Sequence, residues 1–323
     1  MPRYRCREER LPTGERVVRL EDTAAGVDAA VIPERGADWS AFGMHDASGR
    51  RIELLHPAVD FDGPGSSPVL FPIVGRSWCD GQLGAYRHRG RVRPMPIHGF
   101  ARSTAWEVAA RGTDGASARV TCRLADSEST RALYPYPFRL TLTYRVRAGA
   151  LAIEAAVENP GDEPLPFHLG YHPYFRAPVL PGGDRRRCLL GVPSRAAWEL
   201  ENGGTTGGQV PLPDDLAYDP PRPLADAGLD RVFASLRPDP ATGLAACRLL
   251  DPDCGCGAEV RFDVADFPVF VVYSPSHQPF ACLEPWTGLP GGLGDDVLAG
   301  RQARRVAPGG RFTATVTAHP LVP

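Results

Sequence analysis

Four histidines and one glutamate stand in settings where they could move protons. His98 lies in "PMPIHGFAR", His168 and His172 in "PFHLGYHPYF", and His277 in "YSPSHQPFACLEPWTG", just ahead of Glu284. Proline or glycine lies within a residue or two of each histidine, which rules out regular helix there. Loops and strand ends remain, and on a rigid β scaffold those positions carry most functional side chains. An imidazole titrates at about 6.5, so its chemistry is proton transfer or metal ligation near neutral pH. His168 and His172 are four apart and would share a face of an extended chain, as two metal ligands do. Gly170 interrupts that alternation and no third ligand is apparent, so no metal is expected. His277, among Ser, Gln and Pro, reads as an exposed turn residue. His98 and His172, each taken singly, are equally well explained as packing residues.

Glu284 changes the balance. "PFACLE" reads as a strand that delivers the carboxylate to a sheet end, directly before Pro285 and Trp286. A carboxylate partly desolvated beside an indole has a raised pKa and is a better base. The alternative is an exposed charge at a turn. Trp286 offers a flat apolar surface of the kind that covers the C–H face of a sugar ring, or it is simply core.

The elements that must position these groups are strands. With 34 prolines and 35 glycines, little of the chain can be long helix. "RLTLTYRVR" (139–147) alternates with Leu140, Leu142, Tyr144 and Val146 on one face, and "LAIEAAVEN" (151–159) follows after a short link as a hairpin partner. "RFTATVTAHP" (311–320) alternates in the same way, and "FPVFVVYSP" (267–275) reads as a buried strand. "RVVRLED", "DAAVIP", "ARVTCRL" and "EVRFDV" are shorter strands. Helix is expected only around "DSESTRALYP" (126–135). Close-set turns imply an all-β sandwich, and residues 1–323 read as a single domain, with 177–228 forming long loops that carry short strands.

Composition narrows the function classes. A net charge of −2 argues against nucleic acid and against an anionic membrane surface as partner. No window approaches the roughly 18 apolar residues of a membrane span, and the first twenty residues lack the apolar core of a secretory signal, so a cytoplasmic protein is expected. The eight cysteines are scattered and read as small buried hydrophobes. "CGCG" at 254–257 lacks the second pair that a zinc site needs. Lysine does not occur anywhere in the chain. That excludes Schiff-base chemistry, a pyridoxal-phosphate lysine and a phosphate-loop lysine.

Taken in order, "SPVLFPIVGR" (67–76), "MPIHGFARSTAWEV" (95–108), "YPFRLTLTYRV" (136–146), "VENPGDEPLPFHLGYHPYF" (157–175), "GLDRVF" (228–233) and "LEPWTGLPGG" (283–292) resemble the aldose 1-epimerase (galactose mutarotase) family over nearly the whole chain. The resemblance implies a large antiparallel β-supersandwich with its site in a cleft on one sheet. It further implies Glu284 as general base and His172 as general acid. His98 and Arg76 would hold the ring oxygen or hydroxyls, and Asp230 would bind hydroxyls. His168 matches no firm family position.

Such an enzyme interconverts the α and β anomers of a hexose such as glucose or galactose, as a monomer or homodimer with no cofactor. A base takes the C1 hydroxyl proton while an acid, here a histidine held protonated by a nearby carboxylate, protonates the ring oxygen. Related hexose-6-phosphate 1-epimerases share fold and chemistry, and would gather extra arginines at one end of the cleft. A sugar-binding sandwich without turnover and a His/Glu metal enzyme are the readings from other classes.

Overall fold

A computed structural model of the chain describes residues 2–60, 63–201, 204–224, 228–291, 293 and 303–322. Three antiparallel sheets dominate it. Tyr4–Arg10, Arg16–Asp22, Val27–Ile32, Asp38–His45 and Arg51–Glu53 form a five-stranded meander. The largest sheet has nine strands, with Glu107–Thr113, Ala118–Ala125, Arg139–Arg147, Ala150–Glu158, Arg311–Leu321, Cys256–Phe262 and Ala245–Asp251 adjacent in that order. The third has eight, and its middle is Leu229–Ala234, Val269–Ser274, Phe280–Trp286 and Gly170–Tyr171.

The period-two segments form these strands because each has one apolar face to bury. Leu140, Leu142, Tyr144 and Val146 are all buried, and Arg139–Arg147 pairs along its whole length with Ala150–Glu158, as the alternation predicts. The threonines between them point the other way. One apolar cluster unites Phe42 of the first sheet, Leu142 and Val316 of the second, and Val272 and Leu283 of the third. The expected all-β supersandwich is therefore present.

The expected helix is Glu128–Leu133, started by a capping box in which Ser127 and Thr130 satisfy each other's backbone N–H groups. Between 177 and 228 the chain adds Leu189–Gly191 and Arg222–Pro223 to the nine-stranded sheet. The same stretch adds Ala196–Glu201 and Gly204–Pro211 to the eight-stranded one. Residues 202, 203 and 225–227 of that stretch, and Gly292 of the "LEPWTGLPGG" segment, lie outside the described residues. No helix among the described residues is long and apolar enough to cross a membrane.

One buried carboxylate ties the first sheet to the third. Asp38, 3% exposed, accepts the backbone N–H groups of Ser66 at 3.0 Å and Ser67 at 2.8 Å. These residues lead into Val69–Leu70, the strand beside Gly170–Tyr171. Burial raises the Asp38 pKa from 3.8 to about 6, with the two amides opposing the shift. The folded state thus holds this proton more tightly than the unfolded chain, and its contribution is lost as pH rises through about 6. Comparing urea unfolding of wild type and Asp38→Asn across pH 4–7 should show wild type losing on the order of 3 kcal/mol relative to the variant. A pH-independent difference would contradict this assignment.

Candidate active site

Strand register arranges the floor of a cleft on the eight-stranded sheet. Val232 lies opposite Val271, and Val271 opposite Glu284. In the next row Asp230 faces Tyr273, Tyr273 faces Cys282, and Cys282 faces Tyr174. On the other side Val269 faces Trp286, and Trp286 faces Gly170. The segment from Gly170 to Tyr174 thus pairs with Phe280–Trp286 at both its ends. Keeping that register across the interruption at Pro173 brings His172 opposite Glu284.

The side chains confirm this placement. His172 Nε2 is 3.3 Å from Glu284 Oε1, and the two side chains are only 4% and 1% exposed. Glu284 is therefore not an exposed charge at a turn. The His172 backbone is anchored by its N–H to Pro68 O at 3.1 Å. Its ring stacks on Tyr174, with centroids 4.8 Å apart and planes 19° from parallel. The aromatic run divides by strand alternation, so Tyr171 and Phe175 enter the main core while His172 and Tyr174 face the cleft side.

A cavity of about 190 Å³ opens over this floor, and Arg76, His98, His172, Asp230, Glu284 and Trp286 all line it, together with Tyr273. All six site residues expected from sequence thus surround one space. His168 is wholly buried and His277 is exposed, and neither lines the cavity.

His98 is oriented by the backbone. It adopts a left-handed conformation at φ 63°, next to Gly99 at φ 75°. A β-carbon on Gly99 would fall 2.1 Å from Phe71 O, so only glycine permits this loop to dock on the 71–75 segment. His98 N–H donates to Gly75 O at 2.8 Å, and Gly75 N–H donates to His98 Nδ1 at 3.0 Å. An Nδ1 that accepts leaves the proton of the neutral ring on Nε2. Burial, then His172, Arg102 and Arg76, push the His98 pKa well below its ordinary value, so the ring is a neutral hydrogen-bond donor.

His172 departs from expectation in its charge. Burial, reinforced by Arg102, lowers its pKa to about 3, so desolvation outweighs the nearby carboxylate and the imidazole is neutral in the ligand-free protein. Asp230 opens onto the cavity among enough neighbours that desolvation raises its carboxyl pKa, with Arg231 pulling the other way. Trp286 packs with Leu70, Val74, Val232, Val269, Val271 and Leu289, forming an apolar wall beside the polar groups.

Tyr273 and Arg102 were not legible as site residues. Tyr273 is brought there by sheet register, which links positions far apart in sequence, and Arg102 by the short turn Ala101–Ser103 that follows the His98 loop. The cysteines near "CGCG" have a structural setting at the turn between Ala245–Asp251 and Cys256–Phe262, where the Cys256 thiol donates to Cys254 O at 3.3 Å.

The fold recurs in known proteins. A galactose mutarotase-like protein from Clostridium acetobutylicum superposes with a TM-score of 0.82 at 18% identity, covering 98% of each chain. The Slr1438 protein from Synechocystis does so with a TM-score of 0.76 at 24% identity, covering 98% of this chain and 97% of that one. Protein LacX of Lactococcus lactis is 25% identical over 250 residues, spanning 74% of this chain and 79% of its own length. These likenesses define a galactose mutarotase-like β fold. The family model for aldose 1-epimerase matches residues 17–319, and the chain belongs to that family.

Gly170 controls the indole. A β-carbon there would lie 2.6 Å from Trp286 Cδ1 and 3.0 Å from Val74 Cγ1. Gly170→Ala should fold but shift Trp286, at an overpacking cost on the order of 1–3 kcal/mol. Altered tryptophan emission and a lower melting temperature would show it. Unchanged emission and stability would mean that the indole is not held by this contact.

Proposed function

We propose that the chain is an aldose 1-epimerase that interconverts the anomers of a free hexose such as galactose or glucose, acting in the cytoplasm. The observation that carries this reading is the 3.3 Å approach of His172 Nε2 to Glu284 Oε1 on the wall of a cavity. At about 190 Å³ that cavity suits one sugar ring, being smaller than the roughly 300–1,000 Å³ of typical drug-sized sites. The anomeric hydroxyl and the ring oxygen are bonded to the same carbon. Two proton-carrying groups a hydrogen bond apart can therefore reach both.

In the forward step Glu284 takes the O1 proton, the C1–O1 bond becomes a carbonyl, the bond from C1 to the ring oxygen breaks, and His172 protonates the departing oxygen. Rotation about C1–C2 presents the other carbonyl face, and the same two groups return the protons in reverse on closure. The pair needs one proton in total, and burial favours this arrangement because it carries no net charge. The neutral imidazole of the ligand-free protein means that this proton reaches His172 only in the sugar complex. His98 Nε2–H and Arg76 serve as donors to sugar oxygens, Asp230 accepts from hydroxyls, and Trp286 covers C–H groups.

Arg76 is the one arginine lining the cavity among the described residues. A site built for a sugar phosphate would gather several guanidinium groups, so an unphosphorylated sugar is the better fit. A sugar-binding protein without turnover has no need of a buried acid and base side by side.

Exchange NMR on equilibrated galactose, glucose and glucose 6-phosphate tests the proposal. The free hexoses should exchange anomers faster with protein than in buffer. Glu284→Gln and His172→Asn should each lower kcat/KM by roughly 10²–10⁴-fold while the proteins stay folded. Exchange at the buffer rate for every sugar would sink the catalytic reading, and full activity in either variant would overturn the role given to that residue.

A further inference from the structure

Cys282 adds a third ligating atom to the pair already described. Cys282 and Glu284 are alternate residues of one strand and share its face. Tyr174 faces Cys282 from the neighbouring segment, and His172 lies two residues before it. One ligand atom each from His172, Cys282 and Glu284 lies within 4.8 Å of the other two, and all three residues are buried. Among the described residues this is the only such group of His, Cys, Asp or Glu.

We propose that His172, Cys282 and Glu284 form a binding site for a thiophilic divalent cation, Zn²⁺ or Cd²⁺, whose occupancy blocks the site. Nitrogen, thiolate and carboxylate are the donors zinc prefers, and three protein ligands with one open position is its common arrangement in accessible sites. With metal–ligand bonds of about 2.0–2.3 Å, tetrahedral ligand atoms lie about 3.3–3.8 Å apart. The 3.3 Å separation of His172 Nε2 and Glu284 Oε1 already matches one such edge. A small inward turn of the thiol would complete the set. Binding releases two protons, one from the thiol and the one shared by His172 and Glu284, so one thiolate, one carboxylate and one neutral imidazole meet a doubly charged cation, leaving no net charge in a buried site. The fourth position opens to the cavity, where water or a sugar oxygen would complete the sphere.

Metal binding stands on the three ligands alone. Inhibition rests also on the epimerase reading, because two of the ligands are its acid and base. The full-length protein should be titrated with Co²⁺ as a spectroscopic probe, then with Zn²⁺ and Cd²⁺ during anomer exchange, with Mg²⁺ as an oxygen-preferring control. We expect one Co²⁺ per chain with a thiolate-to-cobalt charge-transfer band, displaced by Zn²⁺. Zn²⁺ should inhibit exchange and Mg²⁺ should not. Cys282→Val and Cys282→Ser should keep exchange activity, lose the band, and need at least about tenfold more Zn²⁺ for half-inhibition. A band in a protein with no epimerase activity would uphold the metal site and sink only the catalytic reading. Absence of the band in wild type, or equal zinc sensitivity in either folded variant, would overturn the proposal.

Discussion

Glu284 and His172 meet 3.3 Å apart with almost no contact with water, and the rest of the cleft is arranged to make that contact possible. A lone buried carboxylate is expensive, and so is a lone imidazolium, whereas a pair sharing one proton carries no net charge. Neither group can be understood without the other. Removing one leaves its partner buried in surroundings shaped for two. The same desolvation that makes the pair costly pulls the His172 pKa down.

Sheet register supplies the precision. The residues facing His172 across the sheet belong to strands set by long-range pairing, not by local turns. Two interruptions of ordinary geometry complete the arrangement. Pro173 breaks the ladder where His172 must leave it, and the left-handed turn at His98 and Gly99 lets one loop lie against another. Asp38 holds the approach to the Val69–Leu70 strand from the first sheet. The cleft is therefore built from segments far apart in sequence, although its proton-carrying groups come from two adjacent segments.

Much of this was legible in the sequence because alternation reports burial directly. Arg139–Arg147 and Arg311–Leu321 could be drawn from their side chains alone, and both ends of the first match. The Glu284 strand was legible for a different reason, a short apolar run ahead of Pro285, and it is buried at every position. The family motifs then singled out five residues, Glu284, His172, His98, Arg76 and Asp230, that share one cavity with Trp286. Register was not legible, so Tyr273 went unnoticed beside Asp230. The depth of burial that pulls the His172 pKa down was not legible beside the carboxylate expected to hold the ring protonated. His168, which shares a motif with His172, turns out to be buried without lining the cavity, since its separation of four residues spans Gly170 and a change of strand.

A crystal structure of the protein with galactose bound is the most direct test of the roles given to Glu284 and His172. The anomeric hydroxyl should lie within about 2.6–3.2 Å of a Glu284 oxygen and the ring oxygen equally close to His172 Nε2. The sugar's C–H face should lie against the wall that includes Trp286. A sugar seated with its anomeric carbon away from both groups, toward Arg76 or Asp230, would contradict those roles.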